Sequence, residues 1–143
     1  MSQHAMLEAE CPSCRAKQAL MIWHSLDVTG NPDLKEQLFT GRINYFTCPS
    51  CTFEGFITAP LVYHDREKQV CACYLPVEYF EDEEFLRQAF TAEGRCRHGR
   101  TGEGFLLPDL PENEVHIVFS MTELIRYVLF RDRLGQVFEG QEA

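Results

Sequence analysis

An α+β fold follows from three features of this 143-residue sequence. The tetrapeptide Cys-Pro-Ser-Cys occurs twice, at 11–14 and 48–51, and alternating stretches flank both copies. Segments 31–41, 81–92 and 120–134 carry helix start signals followed by apolar residues at helical spacing. Short apolar runs at 61–64, 70–75 and 115–119 supply further strands. The expected architecture is an antiparallel β ribbon carrying a four-cysteine metal site, with a small sheet and two to three helices.

Residues 5–10 alternate and run into Cys11, and 19–28 lead away from Cys14. Strand, knuckle, strand is the reading, because CxxC knuckles sit at the tips of β-hairpins. In 31–41, Asn31 is an N-cap and Pro32 suits the first helical position. Asp33 and Glu36 lie near the positive helix start, Leu34 and Leu38 share a face, and Gly41 stops the helix. Residues 42–47 alternate into Cys48, and 52–58 lead away from Cys51. The polar segment 65–68 is a turn between strands 61–64 and 70–75, and Pro76 ends the second. In the helix 81–92, Glu81, Asp82, Glu83 and Glu84 crowd the first turn, and Phe85, Leu86, Ala89 and Phe90 give an apolar face. A Gly- and Arg-containing loop spans 93–103, and Pro108 and Pro111 precede strand 115–119. Ser120 to Glu123 is a capping box, Leu124, Tyr127, Val128 and Arg131 set the face of the last helix, and Gly135 ends it.

The length suits one domain, read as a metal-ribbon part with an inserted helix (1–60) and an acidic α+β body (61–143). The net charge of −9 is uneven. Residues 1–60 carry six acids and four bases, and 61–143 carry sixteen acids and nine bases. Such a surface repels phosphate backbones, so nucleic-acid binding is disfavoured. No apolar run reaches the roughly 18 residues a membrane helix needs. Residues 1–10 lack the basic start and apolar stretch of a secretory signal, and seven cysteines is an odd number for a disulfide scaffold. The expected location is cytoplasmic, in a reducing compartment where paired CxxC motifs are metal ligands.

Each CxxC turn lets one segment supply two thiolates at tetrahedral separation, and proline limits the entropy lost when the knuckle closes. Cys11, Cys14, Cys48 and Cys51 are therefore the candidate ligands of one ion, zinc first and iron as its competitor for the same spacing. Thirty-three residues lie between Cys14 and Cys48, more than the roughly 15–20 of short zinc ribbons, and the capped helix accounts for the surplus. The alternative is two separate redox pairs, which need a CxxC at a helix start. Cys71 and Cys73 share one face of a strand and read as buried small hydrophobes. Cys96 sits beside Arg95, Arg97 and His98, which could lower its pKa, but shows no base partner.

Segments 31–38, 41–51 and 59–65, with both Cys-Pro-Ser-Cys copies, resemble the CpXC family of prokaryotic proteins, named for two Cys-Pro-X-Cys motifs and without an assigned activity. The resemblance implies the four paired cysteines and supplies no catalytic role. Zinc knuckles often place glycine after the second cysteine, where this chain has Arg15 and Thr52. A left-handed turn there would cost such a residue about 1 kcal/mol.

Other constellations are bland. In Tyr63-His64-Asp65, His64 could serve as a general base, but its neighbour Asp65 faces the other side of a strand. His24 and His116 read as structural. The glycines of 99–104 lack the Gly-Lys-Ser/Thr of a phosphate loop. Trp23, Tyr45, Phe46, Phe53 and Phe56 flank the ribbon and read as packing around a small metal site. The function expected is a zinc protein of unassigned activity that binds another protein without catalysing a reaction. An enzyme with a site near His64, or a thiol redox and zinc-release sensor, are the alternatives.

Overall fold

A computed structural model describes residues 2–93, 100–101, 105–106 and 115–142. Strands β1 (Gln3–Glu10) and β2 (Lys17–Asp27) form an antiparallel hairpin with the first knuckle at its tip. After helix α1 (Asp33–Phe39), strands β3 (Tyr45–Thr47) and β4 (Glu54–Phe56) make a second hairpin around the second knuckle. Strands β5 (Leu61–Asp65) and β6 (Val70–Tyr74) pair antiparallel. Helix α2 (Glu83–Ala89), the short strands β7 (Arg100–Thr101) and β8 (Phe105–Leu106), strand β9 (His116–Val118) and helix α3 (Met121–Glu142) follow.

The main sheet has five strands in the order β1-β2-β5-β6-β9. It is mixed. Its two hairpins are joined by a parallel pairing of Ser25–Asp27 with Val62–His64, and β9 joins β6 in parallel. The fold is α+β, as the sequence indicates, with the ribbon continuous with the sheet. Strand β2 is long enough to leave the knuckle as one arm of the hairpin and enter the core as a sheet strand.

Strands β5 and β6 are buried on both faces, which explains their unbroken apolar runs. One face carries Leu61, Tyr63, Val70, Ala72 and Tyr74, packed with Leu34 and Leu38 of α1 and Met121, Leu124 and Val128 of α3. The opposite face carries Val62, Cys71 and Cys73, packed with Leu75 and Phe85. Each fully buried leucine here contributes roughly 1.5–3 kcal/mol.

Helix ends depart from expectation in instructive ways. Helix α1 starts at Asp33 with Pro32 in the N-cap place and no side-chain cap. Asn31 instead accepts a hydrogen bond from the Ser2 hydroxyl (2.9 Å) through its side chain and from the Leu34 amide (3.1 Å) through its carbonyl. Gly41 does end α1, with φ at 73°. Its amide donates to Leu38 and that of Arg42 to Gln37, a Schellman motif. The expected strand 42–47 shortens to Tyr45–Thr47, because residues 41–44 turn. A 3-10 turn, Val77–Glu81, precedes α2, so Glu81 lies outside that helix. Asp82 is its N-cap, accepting from the Phe85 amide at 3.0 Å. Helix α3 continues through Gly135 to Glu142. Glycine in mid-helix costs only about 1 kcal/mol and does not force a stop. The Ser120 hydroxyl accepts from the Glu123 amide at 3.0 Å, and Glu123 accepts from the Phe119 amide at 3.2 Å.

Candidate metal centre

The two Cys-Pro-Ser-Cys segments fold alike. In the first, the Cys11 amide donates to Ala16 (2.9 Å) and that of Arg15 to Cys11 (2.8 Å). In the second, the Cys48 amide donates to Phe53 (2.7 Å) and that of Thr52 to Cys48 (2.9 Å). Both chains leave through a left-handed residue, Arg15 at φ 62° and Thr52 at φ 63°. These are the positions where glycine would be the unstrained residue. The repeated tetrapeptide therefore dictates a repeated turn, and each turn presents two sulfurs on one side.

The knuckles face each other. All four sulfurs lie within 4.8 Å of one another. Across the knuckles, Cys11 Sγ is 3.5 Å from Cys51 Sγ, and Cys14 Sγ is 3.6 Å from Cys48 Sγ. Those separations are far beyond the ~2.05 Å of a disulfide bond. A tetrahedron of sulfurs about 2.3 Å from a central zinc has edges of roughly 3.8 Å. The donor set and its spacing thus fit a tetrahedral ion. The two redox pairs weighed as an alternative would face separate ways, and these do not.

Local electrostatics favour a cation. Burial alone would raise Cys48, but the amides of Ser50 and Cys51 and the neighbouring sulfurs outweigh it and hold the thiol at about 7. Cys11 is lowered in the same way, against its burial, by the amides of Cys14 and Ser13. The Ala16 amide favours a thiolate at Cys14, yet hydrogen bonding to the other sulfurs pushes it up to about 12. Backbone amides thus lower two of these thiols while the neighbouring sulfurs raise a third, so the site pulls its cysteines both ways. A divalent ion removes that conflict.

What holds the knuckles together is small. Cys11 and Cys48 are buried with Phe46, and Leu20, Phe53 and Ile57 pack around them, while Cys14 is exposed. Tyr45 and Phe56 form an edge-to-face pair outside (5.2 Å), and Phe46 meets Phe53 at 6.0 Å. The residue that sequence reasoning missed is Asn44. Its side chain accepts from the Trp23 amide (2.7 Å) and donates to the Trp23 carbonyl (2.9 Å), taking the place of a neighbouring strand on β2. Its carbonyl accepts from the Ile57 amide at 2.6 Å. Asn44 is buried with φ at 53°. The only available signal was that asparagine tolerates the left-handed region.

The remaining candidates stand apart from the cluster. His64 is half-buried, its carbonyl accepts from the Val28 amide at 3.0 Å, and burial lowers its imidazole pKa despite the nearby Asp27 and Asp65 carboxylates. Asp65 does not orient it. That carboxylate accepts from the Thr29 hydroxyl (3.3 Å) and the Lys68 amide (3.1 Å), closing the β5–β6 turn. Asp27 likewise binds the amides of Thr29 and Gly30 and the Arg66 guanidinium. His116 stacks on Tyr127, and burial lowers His24. Cys71 and Cys73 lie buried in the face packed with Phe85. Glu81, Asp82, Glu83 and Glu84 are all exposed at the start of α2. Cys96, His98 and the Gly99, Gly102 and Gly104 backbone lie outside the described residues.

Among the described residues no helix is long and apolar enough to cross a membrane. No curated protein and no solved structure matches the chain. The family described as CpXC protein matches residues 9–134, a span that holds both knuckles, the whole described core of the sheet and most of α3. On that match, and with the four sulfurs gathered at one point, this chain belongs to the CpXC family.

Proposed function

We propose that the chain is a zinc protein whose metal is structural, and that its folded body binds another protein in a reducing compartment, without catalysing a reaction. The observation that carries this reading is the donor set: four cysteine sulfurs from two knuckles, all within 4.8 Å of one another. Four thiolates complete a tetrahedral shell and leave no position for a reacting water, the mark of structural sites as against catalytic ones. When bound, zinc supplies charge neutralisation and four strong bonds. The chain supplies the amides of Ser13, Cys14, Ser50 and Cys51 that stabilise Cys11 and Cys48 as thiolates. Support for a non-enzymatic role also comes from His64, whose neighbouring carboxylates are engaged in turn-closing hydrogen bonds.

The test is elemental analysis of the full chain purified under reducing conditions, with a melting curve before and after chelation. One zinc per chain and a large drop in melting temperature on chelation are expected. Iron in the site would show as visible absorption of the thiolate complex. A chain that holds no metal and melts identically with chelator would remove the structural reading. For the interaction role, affinity capture under reducing conditions should return a stoichiometric protein partner, and hydrolase or redox turnover by the metal-loaded chain would count against it.

A further inference from the structure

Strand β1 is an edge. Among the described residues its one strand partner is β2, so the outer main-chain groups of an eight-residue strand face away from the sheet. Such an edge is a template for pairing with another strand. Its charged side chains, Glu8 and Glu10, lie towards one end, and its centre is apolar. Met6 is 64% exposed and lies opposite Met21, itself 49% exposed, on the same outer face. Leu7 is also exposed.

We propose that β1 pairs antiparallel with β1 of a second copy of this chain, about a two-fold axis through Met6. This rests on the protein-binding reading above and names the partner. The sequence of the strand, Gln-His-Ala-Met-Leu-Glu-Ala-Glu, is complementary to itself in that register. Met6 meets its own counterpart, Ala5 meets the partner's Leu7, and His4 meets the partner's Glu8. Residues 4, 6 and 8 alternate onto one face, so the two His–Glu pairs flank a Met–Met centre on one side of the joined sheet. A shift of the axis by one residue, to Leu7, would exchange the partner's Glu8 for its Glu10 opposite His4, but would set Met6 against the partner's Glu8 and lose the apolar Met–Met centre.

Charge favours this edge over the rest of the surface. The hairpin 3–27 carries three acids and two bases in a chain of net charge −9, so two copies meet there with little net repulsion. The ion pair that Glu8 already makes, to Lys17 at 3.8 Å, is largely exposed and weak, and leaves carboxylate oxygens for the partner's His4. His4 packs edge-on against Trp23 at 4.8 Å, which holds its ring on the same outer face. The contact is one eight-residue strand edge on each copy, so the dimer fills with concentration.

The test uses the metal-loaded full chain in light scattering and native mass spectrometry over a concentration series. The mass should rise from 16.5 kDa towards twice that value. Met6→Lys should abolish the dimer by setting like charges face to face, and Met6→Glu should do the same. Mixing the two variants should restore it, as a one-to-one heterodimer only, because position 6 faces itself. Hydrogen exchange of the β1 amides in the unmodified chain should slow as concentration rises, with β3 and β4 unchanged. A chain that keeps its metal yet stays at 16.5 kDa with concentration-independent exchange overturns the pairing while leaving the metal reading intact. Survival of the dimer in Met6→Lys, or failure of the mixed variants to pair, overturns it also.

Discussion

The sheet core and the knuckle pair solve the same stability problem with different means. Around β5 and β6, the buried cluster of fourteen described residues runs from Leu26 of β2 to Val128 of α3. It draws on strands and helices far apart in sequence and needs nothing but apolar area removed from water. Around the knuckles the buried cluster is Cys11, Phe46 and Cys48, with partly buried neighbours. Strands β3 and β4 are three residues each, too short to stand alone. A two-hairpin module of that size does not bury enough to offset its own ordering entropy. Cysteines replace missing core there, and metal binding becomes part of the folding free energy.

The sharpest way to break that contrast is Cys48→Ser. It removes a buried sulfur whose pKa sits at about 7 and leaves three donors. Metal binding at such sites is worth on the order of 10 kcal/mol, so loss of most of it should melt the knuckles. Metal content should fall to zero, and hydrogen-exchange protection should vanish across β3, β4 and the tip of the first hairpin. Protection in β5 and β6 should persist. If β5 and β6 lose protection together with the knuckles, the two regions fold as one unit and the contrast fails. Acid should have the same local effect on the unmodified chain, since protons compete with metal for the thiolates.

Next in size is Asn44→Ala. It would orphan the amide and carbonyl of Trp23, half-buried where β2 passes from ribbon to sheet. Leaving such groups unpaired costs about 1–3 kcal/mol. The drop should appear in global melting, because Asn44 is the joint between the two regions. A melting temperature within error of the unmodified chain would show that water replaces the amide without cost.

Much of this contrast was legible in the sequence, for reasons specific to each region. The duplicated tetrapeptide is local and repeated, so identical chemistry at 11–14 and 48–51 gave identical turns with Arg15 and Thr52 in the same left-handed place. Short apolar runs placed β5 and β6, and a capping box followed by helical spacing placed α3. The parallel pairings of β2 with β5 and of β6 with β9 were not legible, because register between distant strands is set by tertiary packing. The stop at Gly135 was misplaced because glycine marks a helix end only where the left-handed conformation is used, as at Gly41. Asn44 escaped notice because an asparagine that replaces a strand partner has no spacing signature.

Asp132 probes the sheet side of the comparison. On α3 it binds Lys35 of α1 at 2.8 Å and Lys68 of the β5–β6 turn at 3.2 Å. Burial would raise this carboxyl, but the two ammonium groups outweigh it and lower it below 3.8. Its contribution is therefore fully present above that value and lost as pH falls through the lower folded-state value. Lys68, raised mainly by its hydrogen bond to Asp132, acts at the other end: its contribution is present below 10.5 and lost as pH rises through its folded value. Asp132→Asn should cost about 1 kcal/mol at neutral pH and flatten the acid limb of the stability curve below pH 4. Metal content should not change, since no cluster residue touches this triad. An unaltered acid limb would show that the triad is screened by solvent.

The smallest effect has the opposite sign. Arg15→Gly and Thr52→Gly relieve a side chain held at φ 62° and 63°. A non-glycine residue in that region costs roughly 1 kcal/mol, and glycine's larger unfolded-state entropy returns part of it. A net gain of about 0.5 kcal/mol per site is expected, read as tighter metal retention in a chelator competition. The gain should also be specific to the knuckles, with no change in the exchange of β5 and β6. Weaker retention in both variants would mean that the side chains of Arg15 and Thr52 contribute more to the turn than its strain removes. The Thr52 hydroxyl, which donates to the Cys51 carbonyl, would then be the group to examine with Thr52→Ser.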